Sequence, residues 1–365
     1  MSIQHSDPIT PPAPRTTAAV DSDAESRLRD VLDPNYPLER LVAEATELTA
    51  SRGGEMMLNR PAAGNRQILF YAPLYLANYC QNACVYCGFQ SNRSIPRESL
   101  TLAKATQQLG FMRRRGFHHV LLVAGDDPRR MTPEYFAEII SSMCDDGFVP
   151  SVEIAPQSVE SYTAMVAAGL SGVTLFQETY DRERYKTYHP RGTKANYDWR
   201  LEGPHRAAAA GAAQLGLGVL LGLGDPVEEL AAMIVQARQL TTDHPDLRIA
   251  FNLPRIHRAP DGFAIPFPVS DEQFVRLYCS LRVAVPSANL VLSTRESASL
   301  RDRLAGICIT QMSAESSTAP GGYEDSPMPV TEDDGDGRQF EISDDRPAGE
   351  VAAALASQGI ATVWK

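Results

Sequence analysis

YAPLYLANYCQNACVYCGFQSNR, residues 71–93, runs from an apolar stretch straight into three cysteines, Cys80, Cys84 and Cys87, spaced CxxxCxxC. Three thiols within eight residues cannot all pair as disulfides without severe strain, but as thiolates they can converge on one soft metal centre. No fourth cysteine stands nearby, for Cys144, Cys279 and Cys308 are single and far apart in the chain. A cluster held here keeps one iron free of protein thiolate and open to a ligand, unlike the closed four-cysteine clusters of electron carriers. Structural zinc is one competing reading, but it favours four protein ligands and paired C-x-x-C knuckles. Chance crowding of free cysteines is the other, and three in eight residues from six in the chain speaks against it.

The apolar residues ahead of the cysteines read as a strand over 68–76, and the chain beyond alternates in the same manner. Strands are expected at 120–124, 152–155, 173–176, 217–223, 248–253, 290–293 and 308–311. Helices are expected at 100–115, from 133, and at 159–168, 202–211, 227–240, 270–285, 300–304 and 348–358. Thr132 with Pro133 and Ser270 with Gln273 supply helix starts, the latter as a capping box. Eight short strands, apolar on both faces and separated by helices, demand a parallel sheet. We therefore expect an α/β fold, a closed (βα)8 TIM-type barrel, with a doubly wound open sheet as the alternative. In such barrels chemistry gathers at the carboxyl ends of the strands, and the cysteines directly follow the first.

Residues 1–23 are rich in Pro, Ser, Thr and Asp and nearly free of large apolar side chains, which predicts a disordered tail. Leu38, Leu41, Val42, Ala45 and Leu48 recur at helical spacing within an N-terminal helical extension over 24–60. The barrel and its C-terminal helix then occupy 61–365. At 365 residues, 43% apolar and 22% charged, the composition is that of a soluble globular protein. The net charge of −11 argues against nucleic acid or an anionic membrane as partner. No apolar run reaches membrane length, no signal-peptide core is visible, and clustered cysteines must stay reduced, so a cytoplasmic location is expected.

Polar residues close nearly every predicted strand: Asp126 and Asp127, Gln157 with Glu153 inside its strand, Glu178, Arg255 and His257, Arg295 and Glu296, Thr310 and Ser313. Burying such groups unpaired is costly, so each should face a partner or a ligand. Rim salt bridges are the plain alternative, and for Arg295 the partners would be Glu296 or Glu178. His189 reads as a satisfied loop histidine, and the acidic run at 332–336 as a solvated loop.

The cysteine stretch, GVTLFQETYDRERYKTYHPRG (172–192), STRES (293–297) and ITQMSAESSTAPGGY (309–323) together resemble the aromatic amino acid lyases of the radical S-adenosylmethionine (SAM) superfamily, over the chain from about residue 35 onward. The resemblance implies a radical SAM barrel with a [4Fe–4S] cluster whose open iron is chelated by SAM. One electron then splits SAM to a 5′-deoxyadenosyl radical. In the tyrosine lyases among them this radical takes a hydrogen from the substrate amine, and the Cα–Cβ bond breaks to 2-iminoacetate and p-cresol, the imine serving the thiazole of thiamin. By the same resemblance Cys80, Cys84 and Cys87 ligate iron, Tyr86 packs beside cluster and adenine, and Glu178 and Arg200 clamp SAM. Arg295 grips the substrate carboxylate, with Thr310 and Ser313 lining the same pocket. Asp126 stands where the family carries Glu, one methylene longer, to hold the SAM ammonium. The implied partners are an aromatic amino acid, a flavodoxin or ferredoxin-type electron donor and a thiazole synthase subunit. Two other readings stand beside this one: a lyase of another aromatic amino acid such as tryptophan in secondary metabolism, and a non-catalytic iron–sulfur or zinc protein. The polar residues ending so many strands argue against the last.

Overall fold

The computed structural model describes residues 19–52, 66–323 and 337–365. Its strands are β1 Gln67–Ala77, β2 His119–Ala124, β3 Val149–Glu153, β4 Gly172–Glu178, β5 Gln214–Val219, β6 Arg248–Asn252, β7 Asn289–Leu292, β8 Gln311–Ser313 and β9 Ala361–Val363. All pairings are parallel; β1 to β8 follow in sequence order, and β1 pairs with both β2 and β8. The sheet is thus the expected closed (βα)8 barrel and not an open doubly wound one. β9 has no counterpart among the expected elements. It lies outside the ring against Gln67, Ile68 and Leu69 of β1. Three residues are too few to carry an alternating signal, and β9 owes its existence to the free side of β1.

The strands form where apolar residues are buried on both faces, as in β2, five of whose six residues are buried. β5 adds a different device. Its Gly216 and Gly218 lie opposite Thr174 and Phe176 of β4. A Cβ on Gly218 would meet the Phe176 ring at 2.4 Å, so the missing side chain is what lets Phe176 turn into the barrel. Helix starts are as read: Thr132 accepts from the Tyr135 N–H, and Ser270 with Gln273 closes a capping box.

The N-terminal extension comprises two helices, Ala24–Leu32 and Leu38–Ser51, both packed on the helix Asp271–Ala284. The break falls at Asp33, whose extended backbone precedes Pro34, as a residue before proline requires. Residues 1–18 of the expected tail, residues 53–60 of the expected extension and the acidic run at 332–336 lie outside the described residues. One boundary departs from expectation with consequences for the site. The helix expected at 300–304 spans Ala298–Ile307, because Leu300, Leu304, Ala305 and Ile307 all bury along it. β8 accordingly begins at Gln311 rather than at 308.

Buried arginines tie this architecture together. Arg282, fully buried, donates to the carbonyls of Pro286, Ala288 and Cys308, each at 2.9 Å. Arg301 pairs with Asp344, both side chains wholly buried, and also donates to the Ser313 carbonyl. Asp344 in turn accepts from Arg346 at 2.8 Å. This pair anchors the segment after residue 336, whose Ser343 and Asp344 N–H groups donate to the Thr294 carbonyl at 3.0 and 3.2 Å. Replacing Asp344 by Ala strands a buried guanidinium, and stability should fall by about 3–5 kcal/mol. Urea unfolding of the two proteins measures it; a loss below about 1 kcal/mol would mean that the Ser313 carbonyl alone satisfies Arg301.

Candidate active site

The cysteines occupy the loop between β1 and the helix Leu102–Arg114. Arg97 organises this loop by donating to four of its carbonyls: Asn78 at 2.5 Å, Phe89 at 2.9 Å, Gln90 at 2.7 Å and Arg93 at 3.2 Å. Across from it, the Ala83 and Val85 N–H groups donate to the carbonyls of Arg191 and Tyr188, each at 3.1 Å. Gly192, with φ 96°, approaches so closely that a Cβ there would meet Asn82 Oδ1 at 2.1 Å. Cys84 is buried, Cys80 and Cys87 half-buried, and none is in a disulfide. Burial pushes the Cys84 thiol up to about 12 and raises that of Cys87, so a bound cation is needed to hold them as thiolates.

All three cysteines border one cavity of about 310 Å³, which Asp126, Glu178, Lys194 and Arg200 also line. Among the described residues no three His, Cys, Asp or Glu side chains could hold a single metal ion. A four-iron cube takes its thiolates at separate corners, so the donor set suits the cluster better than zinc. The mixed charges beside it suit a ligand carrying both an ammonium and a carboxylate, as SAM does.

Asp126 accepts from Asn82 Nδ2 at 2.9 Å, from Gln81 Nε2 at 3.3 Å and from the Thr193 hydroxyl. Glu178 ends β4 at a bulge with φ 71°, a left-handed conformation that costs a non-glycine residue about 1–3 kcal/mol. Its carboxylate receives Lys194 Nζ at 2.5 Å and an Arg200 nitrogen at 3.4 Å. Arg200 also donates to the Phe176 carbonyl at 2.6 Å. The next two residues are gripped by Glu229, which accepts from the Thr179 hydroxyl and, at 2.6 Å, from the Tyr180 N–H. Tyr86 reaches the buried His189 with its hydroxyl 2.7 Å from Nε2, while His189 Nδ1 lies 2.8 Å from the Tyr185 carbonyl oxygen. The histidine is satisfied by the protein, as its loop setting suggests.

A second cavity, of about 440 Å³, shares Cys87, Glu153, Phe176, Glu178 and Lys194 with the first and extends to Arg295. Its far wall is the stretch 338–342, laid across the mouth by the Gly88 N–H donating to the Gln339 carbonyl at 3.2 Å and by Tyr75 donating to Gln339 Oε1 at 2.7 Å. Among the described residues Arg295 makes no ion pair; its guanidinium lies 3.3 Å from the centroid of the Phe340 ring. The rim salt bridge considered for it does not form. Glu296 is taken by Arg255 and by His257 at 3.1 Å, and Glu178 by Lys194 and Arg200.

Thr310 lies away from the cavity that Arg295 borders. It precedes β8 at the amino end of the strand, buried, where its Oγ1 accepts from the Leu290 N–H at 2.9 Å. That is the opposite end of β7 from Arg295, and the late start of β8 is the reason. Ser313 ends β8, also buried, and its hydroxyl engages Tyr71 rather than the cavity around Arg295. No local pattern in the sequence sets Lys194, Arg97 and Glu229 apart from other charged loop and helix residues. Glu153 was noticed only as a polar residue inside a strand.

The matches to known proteins agree with this geometry. Residues 74–237 match the Radical SAM superfamily, and residues 253–361 the Biotin and Thiamin Synthesis associated domain. The chain is 35% identical over 329 residues to 2-iminoacetate synthase of Escherichia coli (strain K12), covering 90% of this chain and 82% of the relative. It is 28% identical over 204 residues to 3-methylornithine synthase of Methanosarcina barkeri (strain Fusaro / DSM 804), 55% of this chain and 56% of that one. The FeFe-hydrogenase maturase HydG from Carboxydothermus hydrogenoformans superposes with a TM-score of 0.81 at 31% identity, over 94% of this chain and 75% of that one. Fold and site together define a radical SAM barrel enzyme, using a [4Fe–4S] cluster and SAM. Within that class the chain belongs to the 2-iminoacetate synthase family, as a radical SAM carbon–carbon lyase. Among the described residues no helix is long and apolar enough to cross a membrane.

Glu229 gives the turn at the end of β4 a pH signature. Burial raises its carboxyl from the ordinary 4.5 to about 7, against the pull of the Thr179 and Tyr180 hydrogen bonds. The folded chain therefore holds this proton more tightly than the unfolded one. The stability it confers is full below pH 4.5 and is lost as pH rises toward 7. Glu229→Gln lacks this titration, so wild type should lose stability relative to the variant across that window. Urea unfolding of both at several pH values checks it, and parallel curves would show that the carboxyl is unperturbed.

Proposed function

We propose that the protein cleaves the Cα–Cβ bond of L-tyrosine to 2-iminoacetate and p-cresol and so supplies the imine for the thiazole of thiamin. The observation that carries this reading is Arg295, which makes no ion pair among the described residues and lines one cavity of about 440 Å³ together with Cys87. A guanidinium in that position calls for an anion, and a free amino acid brings a carboxylate that a planar two-pronged donor fixes in one pose. Phe340 and Phe176 offer apolar surface for an aromatic side chain in the same cavity. The barrel mouth with its two adjoining cavities speaks against a non-catalytic metal protein.

In this reading Cys80, Cys84 and Cys87 hold the cluster, and Tyr86, Asp126, Glu178 and Arg200 receive SAM. Once bound, the cluster and SAM would supply the radical chemistry; the protein's own residues would place the substrate nitrogen beside them. Asp126, though a methylene shorter than the family's Glu, borders the cavity beside the cysteines, and its three protein donors tie it to the cysteine loop and to the segment at Thr193. A flavodoxin or ferredoxin-type protein delivers the electron, and a thiazole synthase subunit receives the imine. Among the three site residues proposed for substrate, Arg295 alone borders the cavity, while Thr310 and Ser313 act through packing.

Two experiments test these assignments. Cys87→Ala should abolish the cluster in anaerobically purified protein, while Cys144→Ala, Cys279→Ala and Cys308→Ala keep it; iron analysis and the visible spectrum are the readouts. One zinc per chain with no iron absorption after reconstitution would overturn the cysteine assignment. Reconstituted enzyme with SAM and dithionite should release p-cresol from tyrosine, and a panel with tryptophan and phenylalanine tests the substrate. Arg295→Lys should still cleave SAM, but the ratio of p-cresol to 5′-deoxyadenosine should fall by up to about a hundredfold as the pose is lost. A wild-type ratio in that variant would remove Arg295 from substrate binding.

A further inference from the structure

Glu153 is the last residue of β3, and the inward side of that strand is Val149, Ser151 and Glu153. Its carboxyl group borders both cavities at the mouth and a third, of about 100 Å³, deeper in the barrel. Among the described residues it makes no hydrogen bond or ion pair. This is unusual for a carboxyl inside a barrel, where unpaired charge is costly. The groups around it are Tyr71 and Tyr75 on β1, Glu178 on β4, Arg295 after β7, and Lys194 and Arg200 beyond β4. His119 and Arg248 stand below, on the deeper cavity. Lys194 and Arg200 are already occupied by Glu178.

Two groups of opposite charge that are without an ion pair among the described residues therefore line one cavity without touching, Arg295 and Glu153. That is the arrangement a zwitterion fits: a carboxylate for the cation and an ammonium for the anion. We infer that Glu153 receives the α-ammonium of the amino acid substrate and takes its proton, presenting the nitrogen as a neutral amine. The inference rests on the amino acid lyase reading above. The step is a proton transfer alone: the ammonium loses H⁺, the carboxylate becomes a carboxylic acid, and no electron moves. It matters for the radical chemistry that follows. A hydrogen atom taken from an ammonium leaves a radical cation on nitrogen, whereas one taken from a neutral amine leaves a neutral aminyl radical. Burial, and next the Glu178 carboxylate, lift the Glu153 carboxyl to about 7, which makes it a far stronger base than a solvent-exposed glutamate.

The test compares two ligands on SAM-loaded holoenzyme with the cluster oxidised, so that no turnover occurs. Tyrosine carries the amine; 4-hydroxyphenylpropanoate has the same ring and carboxylate without it. Glu153→Gln should weaken tyrosine about ten- to hundredfold and leave 4-hydroxyphenylpropanoate unchanged. The ratio of the two dissociation constants is internal to each variant, so a loss of stability does not imitate it. Glu153→Asp should recover part of the tyrosine affinity. In turnover, wild type should show an acid limb near pH 7, where the carboxyl must be ionised to act. Glu153→Gln should lack that limb and gain rate only as the free amine sheds its own proton at higher pH. Equal weakening of both ligands, no weakening of either, or a pH profile parallel to wild type overturns the inference. Tryptophan and indole-3-propanoate run in parallel. Absence of p-cresol from wild type would sink the tyrosine reading by itself, and the ligand pair that wild type binds then decides the role of Glu153.

Discussion

Two cations share the single carboxylate of Glu178, and the mouth of the barrel is built on that sharing. Lys194 belongs to the stretch that carries Arg191 and Gly192, and this stretch lies against the cysteine loop through backbone hydrogen bonds and the Asn82 side chain. Holding Lys194 therefore holds the loop. Arg200 brings the helix Tyr197–Leu201 onto the end of β4 through the Phe176 carbonyl. The left-handed backbone of Glu178 is the cost of aiming its carboxylate at both, and Glu229 secures the two residues that follow. The cavity beside the cysteines thus inherits its shape from one buried charge cluster rather than from the loops alone.

The charged groups at the mouth divide by whether the protein itself supplies their partner. Arg255 and Glu296, both buried, find each other and Asp271, and they close the side of the barrel between β6 and β7. Arg301 and Asp344 do the same beneath the stretch that crosses the mouth. Among the described residues Arg295 and Glu153 are left without an ion pair. Both border the cavity that the paired Glu178 and Lys194 also line. Unpaired charge in a low-dielectric interior is costly, and this is the ground on which the substrate roles of both groups are proposed.

Much of this was legible in the sequence because it is local. The CxxxCxxC loop needs only neighbouring residues, and strands apolar on both faces announce a parallel sheet whatever they pack against. The capping box at Ser270 likewise depends on residues three apart. Legibility failed where distant residues decide. β8 was placed at 308 because Cys308, Ile309 and Thr310 are as apolar as a strand, yet the preceding helix continues through Ile307 on its tertiary contacts. Thr310 therefore precedes β8 at its amino end, away from the cavity of Arg295.

What the sequence by itself determined is the repeating strand and helix order, the position of the cysteines after the first strand, and the set of polar residues at strand ends. These follow from periodicity and spacing, which are properties of short stretches. Only the tertiary structure decided which of those polar residues satisfy one another. Glu296 and Arg295 are adjacent in sequence, yet the first is consumed by Arg255 and His257 while the second faces a cavity closed by Phe340. Partnership between charges depends on distance in space, and closing a barrel brings together residues that the chain holds far apart.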